Sequence, residues 1–111
     1  MAVLRDNTET REIRPGVERK LIHGSDLMMV VIDFTNGPWA EPEPPHNHVH
    51  EQTTYIAHGE IRFISEGESD EILSDGDMFF VPSGKMHTIQ LLSESARLVD
   101  SFNPIRQEFL P

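Results

Sequence analysis

The chain predicts an all-β fold. Three observations carry that expectation. No long segment has helical periodicity, the apolar runs are of strand length, and turn residues separate them at roughly 8–12-residue intervals. Many short strands spaced in this way belong to sandwiches and barrels. Leu27 to Phe34 (LMMVVIDF) is a compact apolar strand, ended by Asn36-Gly37-Pro38. Glu41-Pro42-Glu43-Pro44-Pro45 can be neither helix nor central strand, because proline has no N–H to donate. It reads as an extended lead into the histidines that follow. Thr53 to His58 and Glu60 to Ser65 are two strands joined at Gly59; Ile61 and Phe63 then share one face, with Glu60 and Arg62 on the other. Ser65 to Asp70 is a polar, acidic turn and Asp75-Gly76 a second one. Met78 to Val81, the turn Pro82-Ser83-Gly84 and the strand His87 to Leu92 follow. Ala96 to Phe102 is the last strand, stopped by Asn103-Pro104, and Ile105 to Pro111 has room for one helical turn at most.

With 111 residues the chain has material for one domain. We assign residues 16–111 to a single barrel and residues 1–15 to an N-terminal arm, either flexible or lent as a strand to a partner subunit. Hydrophobic residues make up 37% of the sequence, enough for one core and too many for a disordered chain. Lys and Arg number 9 against 19 Asp and Glu, a formal net charge of −10. An excess of that size repels phosphate backbones and anionic lipid, so neither nucleic acid nor a membrane surface is an expected partner. No apolar run approaches the ~18 residues of a membrane span and no secretion signal is recognisable, which leaves the cytoplasm as the default location. Cysteine is absent, which excludes disulfides, thiolate catalysis and Cys-ligated metals.

Three of the six histidines fall within five residues: His46, His48 and His50. On a strand, His46 and His48 leave the same face, a natural pair of imidazole ligands for a divalent transition metal. His50 is ambiguous. Strict alternation puts it on that face too, whereas a bend near Val49 to Glu51 turns it away, and we expect it at the rim. A His-rich run can equally be plain solvated surface. His23 and His58 have no partner at a suggestive spacing.

At these residues the chain resembles the cupin family, whose pattern is G-x5-H-x-H-x3-E-x6-G followed by G-x5-P-x-G-x2-H-x3-N. His46, His48, Gly59, Gly76, Pro82, Gly84 and His87 stand at matching spacing. Ala40, Gln52 and Leu91 depart from it, replacing the first glycine, the glutamate and the asparagine. The resemblance implies a jelly-roll barrel (a double-stranded β-helix) with one divalent transition metal, Zn, Ni, Fe or Mn, held by His46, His48, Gln52 and His87. A Gln52 amide oxygen can coordinate but carries no charge. Three neutral imidazoles and one amide would leave the full 2+ charge on the metal, a better Lewis acid and a stronger attractor of anions than a glutamate-containing site. The alternative is a hydrogen-bonding strand residue beside a three-histidine site.

More of the chain is similar to one group of cupins, the KdgF pectin-degradation family. The similar segments are Gly16-Val17-Glu18-Arg19-Lys20, Leu27-Met28-Met29-Val30, His50-Glu51-Gln52-Thr53-Thr54-Tyr55-Ile56, and Leu98-Val99-Asp100-Ser101-Phe102-Asn103-Pro104-Ile105-Arg106 with Phe109-Leu110. This resemblance implies action on 4,5-unsaturated monouronates from pectin or alginate, opened to linear 4-deoxy-5-keto uronates. It also implies Asp100, Phe102 and Arg106 as catalytic residues beside the metal, and a homodimer. Two apart on the last strand, Asp100 and Phe102 share a face, and a buried carboxylate there needs a partner or a task. An arginine fork at Arg106 matches a substrate carboxylate. A turn-capping Asp100, a core Phe102 and a solvated Arg106 are the plain alternatives. At the level of function, the alternatives are a non-catalytic sugar-binding or regulatory cupin and a metal-dependent oxygenase.

Overall fold

The computed structural model describes residues 1–111. In chain order the strands are β1 (Arg11–Arg14), β2 (Val17–His23), β3 (Met28–Phe34), β4 (Glu51–His58), β5 (Glu60–Ser65), β6 (Glu71–Ser74), β7 (Met78–Val81), β8 (His87–Leu91) and β9 (Ala96–Asn103). Helical structure is confined to two 3-10 turns, Arg5–Asn7 and Gln107–Phe109. No helix is long and apolar enough to cross a membrane. The strands form a six-stranded sheet, β1-β2-β3-β9-β4-β7, and a three-stranded sheet, β6-β5-β8. All neighbours are antiparallel.

The two sheets close on each other because alternate residues of most strands point inward and most of these are apolar. On β9, Ala96, Leu98, Asp100 and Phe102 are buried; on β4, Gln52, Thr54 and Ile56 are buried. The register of these two strands pairs Gln52 with Phe102, Thr54 with Asp100 and Ile56 with Leu98. The main core combines Val17, Phe34, Ile56, Leu98, Phe79 and Val81 of the larger sheet with Ile61, Phe63, Leu73 and Leu91 of the smaller one. Phe63 and Phe79 stack across the gap with ring centroids 4.0 Å apart. A second apolar cluster, Met28, Val30 and Phe102, is capped by Ile105, Phe109 and Leu110. The expected alternation on β5 is present: Ile61 and Phe63 face inward.

Three strands carried no distinct sequence signal. β1 and β6 are short and mostly exposed, and β2 (VERKLIH) mixes charge into an alternating strand. β1 pairs with β2 of the same chain, from Arg11↔Arg19 to Arg14↔Val17. The proline-rich lead runs beside β8 with intermittent bonds, since its prolines have no N–H to donate. Trp39 N–H donates to the Leu91 carbonyl, Glu43 N–H to that of Ile89 and His46 N–H to that of His87. Side chains of β8 fill the gaps: Thr88 Oγ1 donates to the Glu43 carbonyl and Gln90 Nε2 to that of Trp39.

The middle of the larger sheet's outer face carries exposed apolar side chains, bordered by the charged row Glu18, Asp33 and Arg97. Register aligns Ile22, Met29, Ser101, Thr53 and Phe80 in one row, and Lys20, Val31, Val99, Tyr55 and Met78 in the next. Met78 is 72% exposed and Phe80 52%.

Gly59 is where the chain leaves the larger sheet for the smaller one. It sits at φ +99°, and a Cβ there would lie 2.5 Å from the Ser95 carbonyl oxygen. Both the backbone conformation and the space require glycine. Gly59→Ala is expected to destabilise the fold by about 2–3 kcal/mol, read as a lowered urea midpoint with an unchanged slope.

Candidate metal centre

The lead segment and β8 bring the histidines together. His46 and His87 form a reciprocal backbone bridge, with N···O distances of 3.0 and 2.9 Å. Gly84, at φ +81°, donates its N–H to the His48 carbonyl, tying the Pro82-Ser83-Gly84 turn to the same segment. The result is three rings in mutual contact, with centroids of His46 and His87 at 4.4 Å, His48 and His87 at 4.8 Å, and His46 and His48 at 5.8 Å. One ring nitrogen from each lies within 4.8 Å of the others, a group that could hold a metal ion.

Backbone carbonyls fix how these rings are oriented. His48 Nδ1 donates to the His50 carbonyl at 2.9 Å and His87 Nδ1 to the Lys85 carbonyl at 2.8 Å. A carbonyl only accepts, so the proton sits on Nδ1 and Nε2 keeps its lone pair. His48 Nε2 faces Gln52 Oε1 at 3.1 Å. The Gln52 amide nitrogen is turned the other way, donating to Thr54 Oγ1 at 2.9 Å and to Asp100 Oδ1 at 3.4 Å. A neutral His48 therefore has one proton and two acceptors. Two lone pairs meet with nothing between them, an arrangement that a cation resolves. Their separation also matches the ~3 Å expected of neighbouring ligand atoms on a metal bound at ~2.1 Å. The donor set fits a divalent transition metal.

All three imidazoles are held below their ordinary pKa. Burial is the largest cause for each, and the positive charge of Arg106 adds to it. For His87 the value falls to about 4, with burial opposed by the bond to the Lys85 carbonyl. His50 is turned off the shared face by a bend at Val49 and His50. Buried, with its Nδ1 unpartnered, it lies outside the three-histidine group and meets Phe102 edge-on at 6.3 Å. His23 and His58 are exposed; His23 bonds to the neighbouring Gly24 carbonyl and His58 Nε2 lies 3.0 Å from Ser95 Oγ.

Beside the histidines opens a cavity of about 260 Å³, lined among others by His46, Gln52, His87, Asp100, Phe102, Arg106 and Phe109. Asp100 is 5% exposed and accepts the Thr54 hydroxyl at 2.5 Å. Burial pushes its carboxyl up to about 6, against the opposing pull of the Thr54 hydroxyl, Arg106 and the Gln52 amide. Phe102 is both core and wall: it is 2% exposed, and His48 meets its ring at 5.8 Å. Arg106 lies over Phe102 at 5.1 Å and over Phe109 at 4.3 Å, and its Nη2 donates to Glu108 at 3.2 Å. Arg19 stacks on Phe109 at 3.9 Å. Thr54 and Phe109 were not singled out as site residues by sequence. Thr54 reads as an ordinary strand residue until its cross-strand partner is known, and Phe109 belongs to no spacing pattern.

Because the ligands resist protonation, a metal titrated into the metal-free protein has little proton competition. Three independent imidazoles titrating at ~6.5 would lose about thirty-fold in affinity between pH 7 and pH 6. Here the neutral forms persist to lower pH, so the loss is expected to be well below that, measured by calorimetry with Co2+ or Zn2+.

Comparison with known proteins agrees with this geometry. Residues 36–102 match the Cupin domain family model. The chain is 38% identical over 107 residues to the pectin degradation protein KdgF of Dickeya dadantii, covering 95% of this chain and 94% of that protein. It superposes on the structure of KdgF from Halomonas sp. with a TM-score of 0.87 and 32% identity, covering 99% of this chain and 100% of the other. An RmlC-like cupin from Shewanella frigidimarina gives a TM-score of 0.85 at 32% identity, over 96% of this chain and 93% of its own. The chain belongs to the cupin family and, within it, to the KdgF group.

Proposed function

We propose that the protein is a metal-dependent enzyme that opens 4,5-unsaturated monouronates, released from pectin or alginate, to linear 4-deoxy-5-keto uronates. The observation that carries this reading is a single cavity lined by metal-competent histidines, a buried carboxyl and an arginine. Its membership of a group whose relatives are named for pectin degradation supports it. The cavity of about 260 Å³ suits one sugar ring rather than a polymer, being smaller than the ~300–1,000 Å³ of sites for larger ligands.

A divalent metal held by His46, His48, Gln52 and His87 would supply a Lewis acid that polarises oxygen atoms of the acidic sugar. The chain's own side chains would do the rest. The substrate is a cyclic hemiacetal whose ring oxygen is attached to the C4=C5 double bond. Asp100 takes the anomeric hydroxyl proton as the C1–ring-oxygen bond breaks, leaving a C1 aldehyde and an enolate over C4, C5 and the former ring oxygen. The same carboxyl then returns the proton to C4, and the C5 ketone forms. The reaction is an isomerisation with no redox step. A carboxyl pushed up to about 6 is suited to accepting and then donating a proton near neutral pH. Arg106 orients the substrate carboxylate, and Phe102 packs on the ring. Asp100→Asn is expected to reduce turnover about a hundred-fold or more while one metal per chain is retained. Arg106→Ala is expected chiefly to raise KM. Freshly prepared unsaturated galacturonate followed by NMR provides the assay. Wild-type protein that leaves the sugar at its spontaneous rate overturns the reading.

We extend the proposal to a homodimer formed through the outer face of the larger sheet. Two copies of a chain carrying −10 repel each other unless they meet on an acid-free surface. The two rows that include Ile22, Met29, Tyr55, Met78 and Phe80 contain no acidic residue. Sedimentation is expected to give twice 12.7 kDa for the wild type and a single chain's mass for Met78→Glu/Phe80→Glu. A monomeric wild type rules the dimer out.

A further inference from the structure

Thr54 stands at the junction of the site's two functional halves. It is 2% exposed and lies directly opposite Asp100 across the β4–β9 pair. Its single hydroxyl lies 2.9 Å from Gln52 Nε2 and 2.5 Å from Asp100 Oδ1. The chemistry of these groups fixes the direction of every bond. An amide nitrogen only donates, so Thr54 Oγ1 accepts from Gln52, and the one hydroxyl proton goes to Asp100.

We infer that Thr54 is a positioning residue that turns the Gln52 amide so that Oε1 faces the metal site and ties up one oxygen of Asp100. The inference rests on the function proposed above and deepens it. Consider the reversed amide. Oε1 would then face both Thr54 Oγ1 and Asp100 Oδ1, and one hydroxyl proton would have to serve two buried acceptors. One would be left unsatisfied; the observed orientation satisfies Thr54 and Asp100 and leaves only His48 Nε2 and Gln52 Oε1 as facing acceptors, the pair that a cation satisfies. The amide N–H groups would also point at the place where His48 Nε2 and Gln52 Oε1 now converge, where they would repel a cation. The observed order, Gln52 Nε2 to Thr54 to Asp100, instead leaves the one oxygen that can coordinate aimed at the histidines. The same order distinguishes the two carboxyl oxygens of Asp100. Oδ1 accepts from Thr54 and Gln52, while Oδ2 has no protein partner and is the oxygen left to exchange a proton with substrate.

The test uses Co2+ as the probe, with visible absorption and titration as readouts. Thr54→Val keeps the shape and removes the hydroxyl; it is expected to weaken Co2+ binding about ten-fold, in the range for loss of a group that orients a ligand, and to shift the cobalt bands. Thr54→Ser is expected to bind within two-fold of the wild type with unshifted bands. In a Gln52→Ala background, Thr54→Val is expected to leave cobalt binding and the cobalt bands where Gln52→Ala alone puts them, because there is no amide left to orient. Thr54→Ala serves the same test should the valine variant not fold. Wild-type cobalt binding and spectrum in Thr54→Val, or an equal loss with and without Gln52, overturns the inference. Wild-type protein that takes up no cobalt overturns both proposals. The expected cobalt pattern without uronate turnover keeps Thr54 in this role and overturns only the activity.

Discussion

The site depends on the hydrogen-bonded register between β4 and β9. That register sets Gln52 against Phe102 and Thr54 against Asp100, all directed inward. A slip of β4 by one residue would send Gln52 and Thr54 to the outer face, away from Phe102 and Asp100, and bring Thr53 and Tyr55 into the barrel. The apolar member of the same strand resists such a slip, since Ile56 would leave the core and its place against Leu98. Packing energy along one strand pair therefore holds a polar network in place that could not hold itself.

The histidines are positioned by different means. They come from the proline-rich lead and from β8, and what joins these is the backbone bridge between His46 and His87. Carbonyls of His50 and Lys85 then set the tautomers. The local field differs from that of the whole molecule. The chain carries −10, yet the one side-chain charge outside the three histidines that acts on all three rings is the positive Arg106, which lowers the pKa of each. Arg106 is kept there by aromatic contact as much as by charge. Phe102 and Phe109 both lie within cation–π reach of its guanidinium, and Phe109 is itself placed between Arg106 and Arg19.

The strands with apolar runs and clear turn residues were legible in the sequence, because alternation and punctuation are local properties. β1 and β6 were not, because Arg11–Arg14 and Glu71–Ser74 bury almost nothing of their own. The grouping of His46, His48 and His87 was readable from motif spacing, and the bend that turns His50 away could be anticipated only as one of two options. Thr54 was not readable as a functional residue at all. Its importance comes from a partner 46 positions further along the chain, and no local pattern records which threonine of a strand will meet a carboxyl. Phe109 is similar: only the packing of the Gln107–Phe109 turn against Phe102 makes it a neighbour of Arg106, a residue that the family resemblance had already singled out.

β9 lies in the middle of the larger sheet, between β3 and β4, although it is the last strand in the chain. Its pairing with β3 joins Met28 to Phe102, so β3 waits for most of the sequence to be available before one of its edges is satisfied. Contacts of such long sequence separation slow folding, because loop closure must precede the stabilisation that rewards it. A nascent chain released only as far as β8 would expose the unpaired edges of both β3 and β4, templates for association with other chains. The strand that carries Asp100 is thus also the one whose insertion ends the period of greatest aggregation hazard during synthesis.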